Sequence, residues 1–100
     1  MIKRYEAINL VEEEVNKHYD PRDLGALEVI DKLTLERPYG WIFFVNTESF
    51  IATNDKNYSA VGFGPIVYTF SDNSLHYLPS YLAPEVAIAD FEKKNGLAGS

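Results

Sequence analysis

The chain has 100 residues, enough for one hydrophobic core and too few for two. Its 46% hydrophobic and 14% aromatic content excludes general disorder. Fifteen acidic against nine basic residues give a formal charge of −6, which disfavours nucleic-acid and anionic-membrane partners, and the absence of cysteine excludes disulfides, thiol nucleophiles and cysteine zinc sites.

Residues 3–19 read as a helix, because Tyr5, Ile8, Val11, Val15 and Tyr19 recur at three- and four-residue steps and form one apolar stripe. Asp20-Pro21 ends it, since a residue before proline avoids helical angles. Arg22-Asp23-Leu24-Gly25 follows as a turn. From Glu28 the period becomes two: Val29, Leu33 and Leu35 point one way and Glu28, Lys32, Thr34 and Glu36 the other, with Asp31 intruding on the apolar side. Residues 39–46 are the clearest strand. Trp41, Phe43 and Val45 face one side and Ile42 and Phe44 the other, which predicts a central strand covered above and below.

A short strand is expected at 50–53 and a loop at 54–57. A further strand over 59–70 is interrupted at Gly62-Phe63-Gly64-Pro65, where proline cannot donate to a ladder. Ser71-Asp72-Asn73-Ser74 reads as a hairpin turn and 75–78 as the return strand. Pro84 opens a last helix with Val86, Ile88, Ala89 and Phe91 on its apolar side, and Asn95-Gly96 stops it. The whole predicts an α+β domain over residues 1–96: an N-terminal helix, an antiparallel sheet of four or five strands and a C-terminal helix, the two helices covering one sheet face and much of its edge. Residues 97–100 read as an unstructured tail. No apolar run follows Lys3 and Arg4, and the longest apolar stretch is 41–45, so the expectation is a cytoplasmic protein.

Candidates for chemistry are few. His18 suits the negative end of the first helix, and His76 alternates with Leu75 and Tyr77 along a strand; both read as structural. Asp72, Ser74 and His76 compose a catalytic set on paper, but neighbours along one hairpin are not expected to reach each other in a working geometry. His18, Asp20 and Asp23 could hold a weak divalent ion, yet helix-end charge accounts for all three, and neither metal nor cofactor is expected. Glu12-Glu13-Glu14 reads as a solvated acid face. Gly62-Phe63-Gly64 reads as a backbone feature, since no helix follows it to face a phosphate and Pro65 removes a donor. Trp41, Phe43 and Phe44 read as core. Tyr58, Tyr77 and Tyr81 are the tyrosines least obviously buried, and tyrosine beside carboxylate is a common interface anchor. With two histidines, no cysteine and no convergent acid–base set, an enzyme is not expected.

The segment Tyr39-Gly40-Trp41-Ile42-Phe43-Phe44, followed by Gly62-Phe63-Gly64-Pro65-Ile66-Val67, resembles the immunity protein 35 family, which includes YrhB-like proteins. The resemblance covers most of the chain, from the leading helix to the closing helix after Pro84. Phe63 stands where the family often carries asparagine, so a side-chain hydrogen bond from that position is not carried over. The resemblance implies a bacterial cytoplasmic immunity protein that binds a cognate polymorphic toxin and blocks it by occlusion. For YrhB-like members it implies instead a small chaperone-type or general protein-interaction role. The recurring residues Gly40, Trp41, Phe43, Gly62, Gly64 and Pro65 are then structural, and the contact surface varies with the toxin. The charge of −6 fits a basic target such as a nuclease, because opposite fields accelerate encounter. Contacts are expected at Glu48, Asp55, Tyr58, Asp72 and Tyr81, on loops and strand ends where partners usually reach.

Overall fold

The structure is a computed structural model that describes residues 2–17, 19, 25–60 and 62–97. The chain runs α1 (Arg4–Asn16), β1 (Leu27–Val29), a 3-10 turn (Asp31–Leu33), β2 (Leu35–Arg37), β3 (Gly40–Phe43), β4 (Val45–Thr47), α2 (Glu48–Thr53), a second 3-10 turn (Lys56–Tyr58), β5 (Ile66–Thr69), β6 (Ser74–Tyr77) and α3 (Pro84–Lys94). It is an α+β fold. Four strands pair antiparallel in the order β2-β3-β5-β6, and β1 pairs antiparallel with β4 in a separate two-stranded sheet. The predicted helix stop at Asp20-Pro21, the predicted turn at 22–25 apart from Gly25, His18 and the tail residues 98–100 lie outside the described residues.

Successive residues of β3 and β5 go to opposite faces, as pleating requires. Phe43, Ile66 and Tyr68 join Ala7, Val11 and Val15 of α1 in one buried cluster, while Ile42 and Val67 join Ile88 and Phe91 of α3 in another. The two helices therefore lie on opposite faces, not together on one as the sequence suggested. Both central strands are apolar on each side, and each side needs its own cover. Tyr68, Phe43, Ile42 and Ile66 are among the fully buried side chains, each contributing about 1.5–3 kcal/mol by leaving water. Tyr5, assigned to the stripe of α1, is instead 60% exposed. The buried row is Ala7, Val11 and Val15, and Tyr5 sits about 200° around the helix from Ala7.

The predicted strand from Glu28 onward is broken at the residue that did not fit it. Asp31 begins the 3-10 turn, and its carboxylate accepts from Arg4 Nε at 3.1 Å. The turn lets the chain leave the two-stranded sheet for the four-stranded one. The strand over 39–46 divides in the same way at Phe44, whose carbonyl accepts from the Ile30 N–H at 2.8 Å. Side-chain alternation survives the division, with Val45 in the α1 cluster and Phe44 packed against the α3 cluster.

Residues 50–53 form part of a helix rather than a strand. Thr47 caps it, its Oγ1 accepting from the Phe50 N–H at 3.0 Å, and Asn54 closes it in the left-handed region. A cap bonded to the backbone outweighs the strand preference of a four-residue run. The second 3-10 turn overlaps the expected loop, and residues 59–65 carry no strand among the described positions. Gly64 runs against backbone: a Cβ there would stand 2.7 Å from the Pro79 carbonyl oxygen. On α3 the apolar side is Ala87, Ile88 and Phe91, and Val86 and Ala89 are exposed.

The helix α1 also finishes the edge of β1. The Asn16 side chain accepts from Leu27 N–H at 2.9 Å and donates to its carbonyl at 2.9 Å, and Glu12 Oε2 accepts from Val29 N–H at 2.9 Å. Two side chains thus replace a missing strand and blunt an edge that could pair with another chain. Glu12 is therefore not part of a solvated acid face as the sequence suggested.

Candidate functional site

Register fixes which loops share an end of the four-stranded sheet. Phe43 pairs with Ile66 and Ile66 with Tyr77, so the end of β3, the start of β5 and the end of β6 meet at one edge. The β4–α2 segment and the loop after β6 leave from that end. Glu48, Asp55, Tyr58 and Tyr81 therefore belong to it, and Asp72, in the β5–β6 turn, belongs to the opposite end. Glu48 and Ile51, three residues apart, share one side of α2. Between α2 and the first 3-10 turn runs an apolar groove lined by Ile30, Leu33, Phe50 and Ile51, with Lys32 and Asn54 at its rim. Leu33 is 47% exposed and Ile51 39%. Tyr58 is half-exposed, and Tyr81 is 85% exposed. The sequence reading missed Leu33 and Ile51. The run Thr47-Glu48-Ser49-Phe50, a cap followed by a helix turn, is the signal that would have placed Ile51 on a surface helix.

Carboxylates gather where β1 meets α1 and the start of α2. Burial first, then the charges of Glu48 and Glu12, hold Glu28 above the ordinary carboxylate value. A raised value in the folded state means that folding disfavours the charged form. Glu28→Gln is therefore expected to raise the melting temperature at pH 7. The gain is full above the folded-state value, fades as the pH falls toward the unfolded-state value, and is absent below it. Thermal unfolding across this range checks the sign; an unchanged or lower melting temperature at pH 7 contradicts it.

The opposite end holds a polar cluster on the face that carries α3. Asp72 Oδ1 accepts from the Thr69 hydroxyl at 2.6 Å and the Ser74 hydroxyl at 2.7 Å. These two bonds, Thr69 first, hold its carboxyl below the ordinary value. His76 Nε2 lies 2.9 Å from Ser74 Oγ and 3.3 Å from Thr69 Oγ1. Asp72, Ser74 and His76 come within hydrogen-bond distance in a row because three alternate residues at a tight turn converge on one face. Their order is different from a nucleophile set. With each hydroxyl donating to Asp72, His76 Nε2 meets them as a donor rather than as a base. The imidazole has no serine proton to take, and serine rather than histidine occupies the middle of the chain. Beside the cluster is a cavity of about 570 Å³ whose walls include Tyr39, Phe70, Asp72, His76, Phe91 and Asn95. Tyr39 is fastened there by its hydroxyl, which donates to Glu92 Oε2 at 2.7 Å; burial, then Glu92, pushes the phenol's pKa well up.

Gly40, Trp41 and Phe43 lie along β3, which runs between these two ends, and Gly62, Gly64 and Pro65 precede β5. Gly40 is buried against β5, and Trp41 stacks on Tyr68 with centroids 5.8 Å apart. Gly62 has φ +89°, and the Pro65 carbonyl accepts from Leu78 N–H at 2.9 Å. Among the described residues no group of three metal-ligating side chains occurs, and no helix is long and apolar enough to cross a membrane. The profile of immunity protein 35 matches residues 5–87. The chain belongs to the immunity protein 35 family. No curated protein and no solved structure matches it. The immunity protein 35 match takes in α1, both sheets, the α2 groove and the Asp72 hairpin. It ends within the first turns of α3, so Phe91, Glu92 and Asn95 lie beyond it.

Proposed function

We propose that this chain is the cytoplasmic immunity partner of a bacterial polymorphic toxin, which it binds and blocks by occlusion, without covalent chemistry. Membership of the immunity protein 35 family over residues 5–87 carries the reading. The groove end supports it: exposed Leu33 and Ile51 offer apolar area, Tyr58 offers an aromatic anchor, and Glu48 and Asp55 offer charge. A basic toxin surface relieves the repulsion among Glu12, Glu28 and Glu48, and the charge of −6 speeds its approach. Tyr81 extends this contact, and Asp72, at the other end of the sheet, stands outside it.

Co-expression with the product of the adjacent upstream reading frame, as a candidate toxin, tests the reading. The expected outcome is restored growth and a stoichiometric complex whose affinity falls as salt is added. Broad, weak binding to many unfolded clients instead supports the chaperone-type alternative. Absence of both rescue and complex overturns the proposal.

A further inference from the structure

Most side-chain donors around the cavity beside the β5–β6 hairpin are already spent, the Ser71 hydroxyl and the second N–H of Asn95 Nδ2 excepted. Thr69 and Ser74 have spent their hydroxyl protons on Asp72 Oδ1, and Tyr39 has spent its own on Glu92. With both hydroxyls donating to Asp72, His76 meets them through Nε2–H, and in that tautomer the free lone pair of the ring is on Nδ1. Among the described residues nothing hydrogen-bonds that Nδ1, and no buried side-chain nitrogen or oxygen is left unpartnered, so Nδ1 is open to solvent. Asn95 donates through Nδ2 to the Phe91 carbonyl at 2.8 Å, which leaves its Oδ1 without a donor. Asp72 Oδ2 is likewise without one among the described residues. The three residues that carry these acceptors, one of them charged, line a space walled by the rings of Tyr39, Phe70 and Phe91.

We infer that this cavity binds a guanidinium group, carried either by a free small molecule or by an exposed arginine of a protein. A guanidinium is planar, carries five N–H donors and no acceptor, and stacks on aromatic faces. It answers all three acceptors and the ring walls together. A simple ammonium is a more strongly hydrated point charge with no plane to lay on a ring, and an anion meets Asp72 and no unspent positive partner on these walls. The cavity lies within the span of about 300–1,000 Å³ that small-molecule sites occupy. The inference does not depend on the toxin reading, since the cavity lies at the other end of the sheet from the groove.

The test is an NMR titration of the full chain with four probes: agmatine, N-acetyl-arginine N-methylamide, its lysine counterpart and its citrulline counterpart. Saturable shifts at Tyr39, Asp72, His76 and Phe91 are expected with the two guanidinium probes, with dissociation constants in the range of about 0.1–5 mM that suits ligands of this size. Agmatine stands for a free ligand and the blocked arginine for a protein-borne one; whichever binds tighter identifies the source, and both support the site. Asp72→Asn keeps the oxygen that accepts from Thr69 and Ser74 but removes the charge, so binding is expected to weaken about tenfold with the melting temperature nearly kept. His76→Phe, which preserves a ring against Phe91, gives an independent loss. The inference is overturned if neither guanidinium probe saturates, if citrulline or lysine binds as tightly, or if Asp72→Asn binds like the parent.

Discussion

Gly40→Ala is expected to unfold the protein or lower its melting temperature by more than about 15 °C. Gly40 is buried at the start of β3, between Arg37 on β2 and Thr69 on β5. A Cβ built there overlaps the Tyr68 carbonyl oxygen and stands 2.9 Å from the Tyr68 carbonyl carbon and 3.1 Å from Thr69 Cα. All three are backbone of the neighbouring central strand, so no side chain can swing away. Relief requires parting β3 from β5, and that would unstack Trp41 from Tyr68 and open both hydrophobic clusters together. A cost of about 4 kcal/mol or more is a large share of the roughly 5–15 kcal/mol that holds a domain of this size. Each kcal/mol moves the midpoint by about 4–8 °C at this length. Gly62→Ala is the matched control. Gly62 has φ +89° but nothing within 4 Å of a built Cβ, so only left-handed strain of about 1–2 kcal/mol is expected. Thermal unfolding of both variants checks the contrast. A Gly40→Ala protein melting within a few degrees of the parent would show that the strands can part cheaply.

Much of this architecture was legible in the sequence because hydrophobic period is a strong signal where burial decides. Trp41, Ile42, Phe43 and Phe44 announce a strand buried on both faces, and β3 is that strand. The same rule, carried one step further, also requires a helix on each face, and assigning both helices to one face ignored it. Misreadings gather where local polar bonds override propensity. Asp31 looked like a flaw in a strand and is the residue that turns the chain between sheets. Phe50-Ile51-Ala52-Thr53 looked like a strand until the Thr47 hydroxyl capped the turn before it. Glu12 looked like part of a solvated acid face and, with Asn16, completes the edge of β1. The candidate contacts were chosen by loop membership, which is a statement about exposure and not about which loops meet. Strand register decides that, and it separates Asp72 from Glu48, Asp55, Tyr58 and Tyr81. Nor does periodicity report hydrogen-bond direction, which is what distinguishes the Asp72–Ser74–His76 chain from a catalytic set.

The doubly substituted Glu48→Lys, Ile51→Arg protein is expected to fold like the parent and to lose at least about 100-fold in toxin affinity, close to 3 kcal/mol. Folding survives because Ile51 is 39% exposed at the groove and belongs to neither core cluster. Lysine at Glu48 also removes a like charge beside Glu28, which offsets the few tenths of a kcal/mol lost by placing a cation in the first turn of α2. Binding suffers twice. Arginine at Ile51 puts a charge where an apolar contact would form, and reversing Glu48 repels the basic surface that the acidic cluster would attract. Asp90→Lys serves as control for overall charge. It lies on α3, away from the groove, and gives up only an exposed pair with Lys94. If the field of the whole molecule drove association, control and Glu48→Lys would slow it equally. If the groove is the contact, the double variant loses protection in the growth assay while Asp90→Lys retains it. A double variant that protects cells as well as the parent does, with the melting temperature kept, removes the groove from the interface and leaves the family assignment untouched.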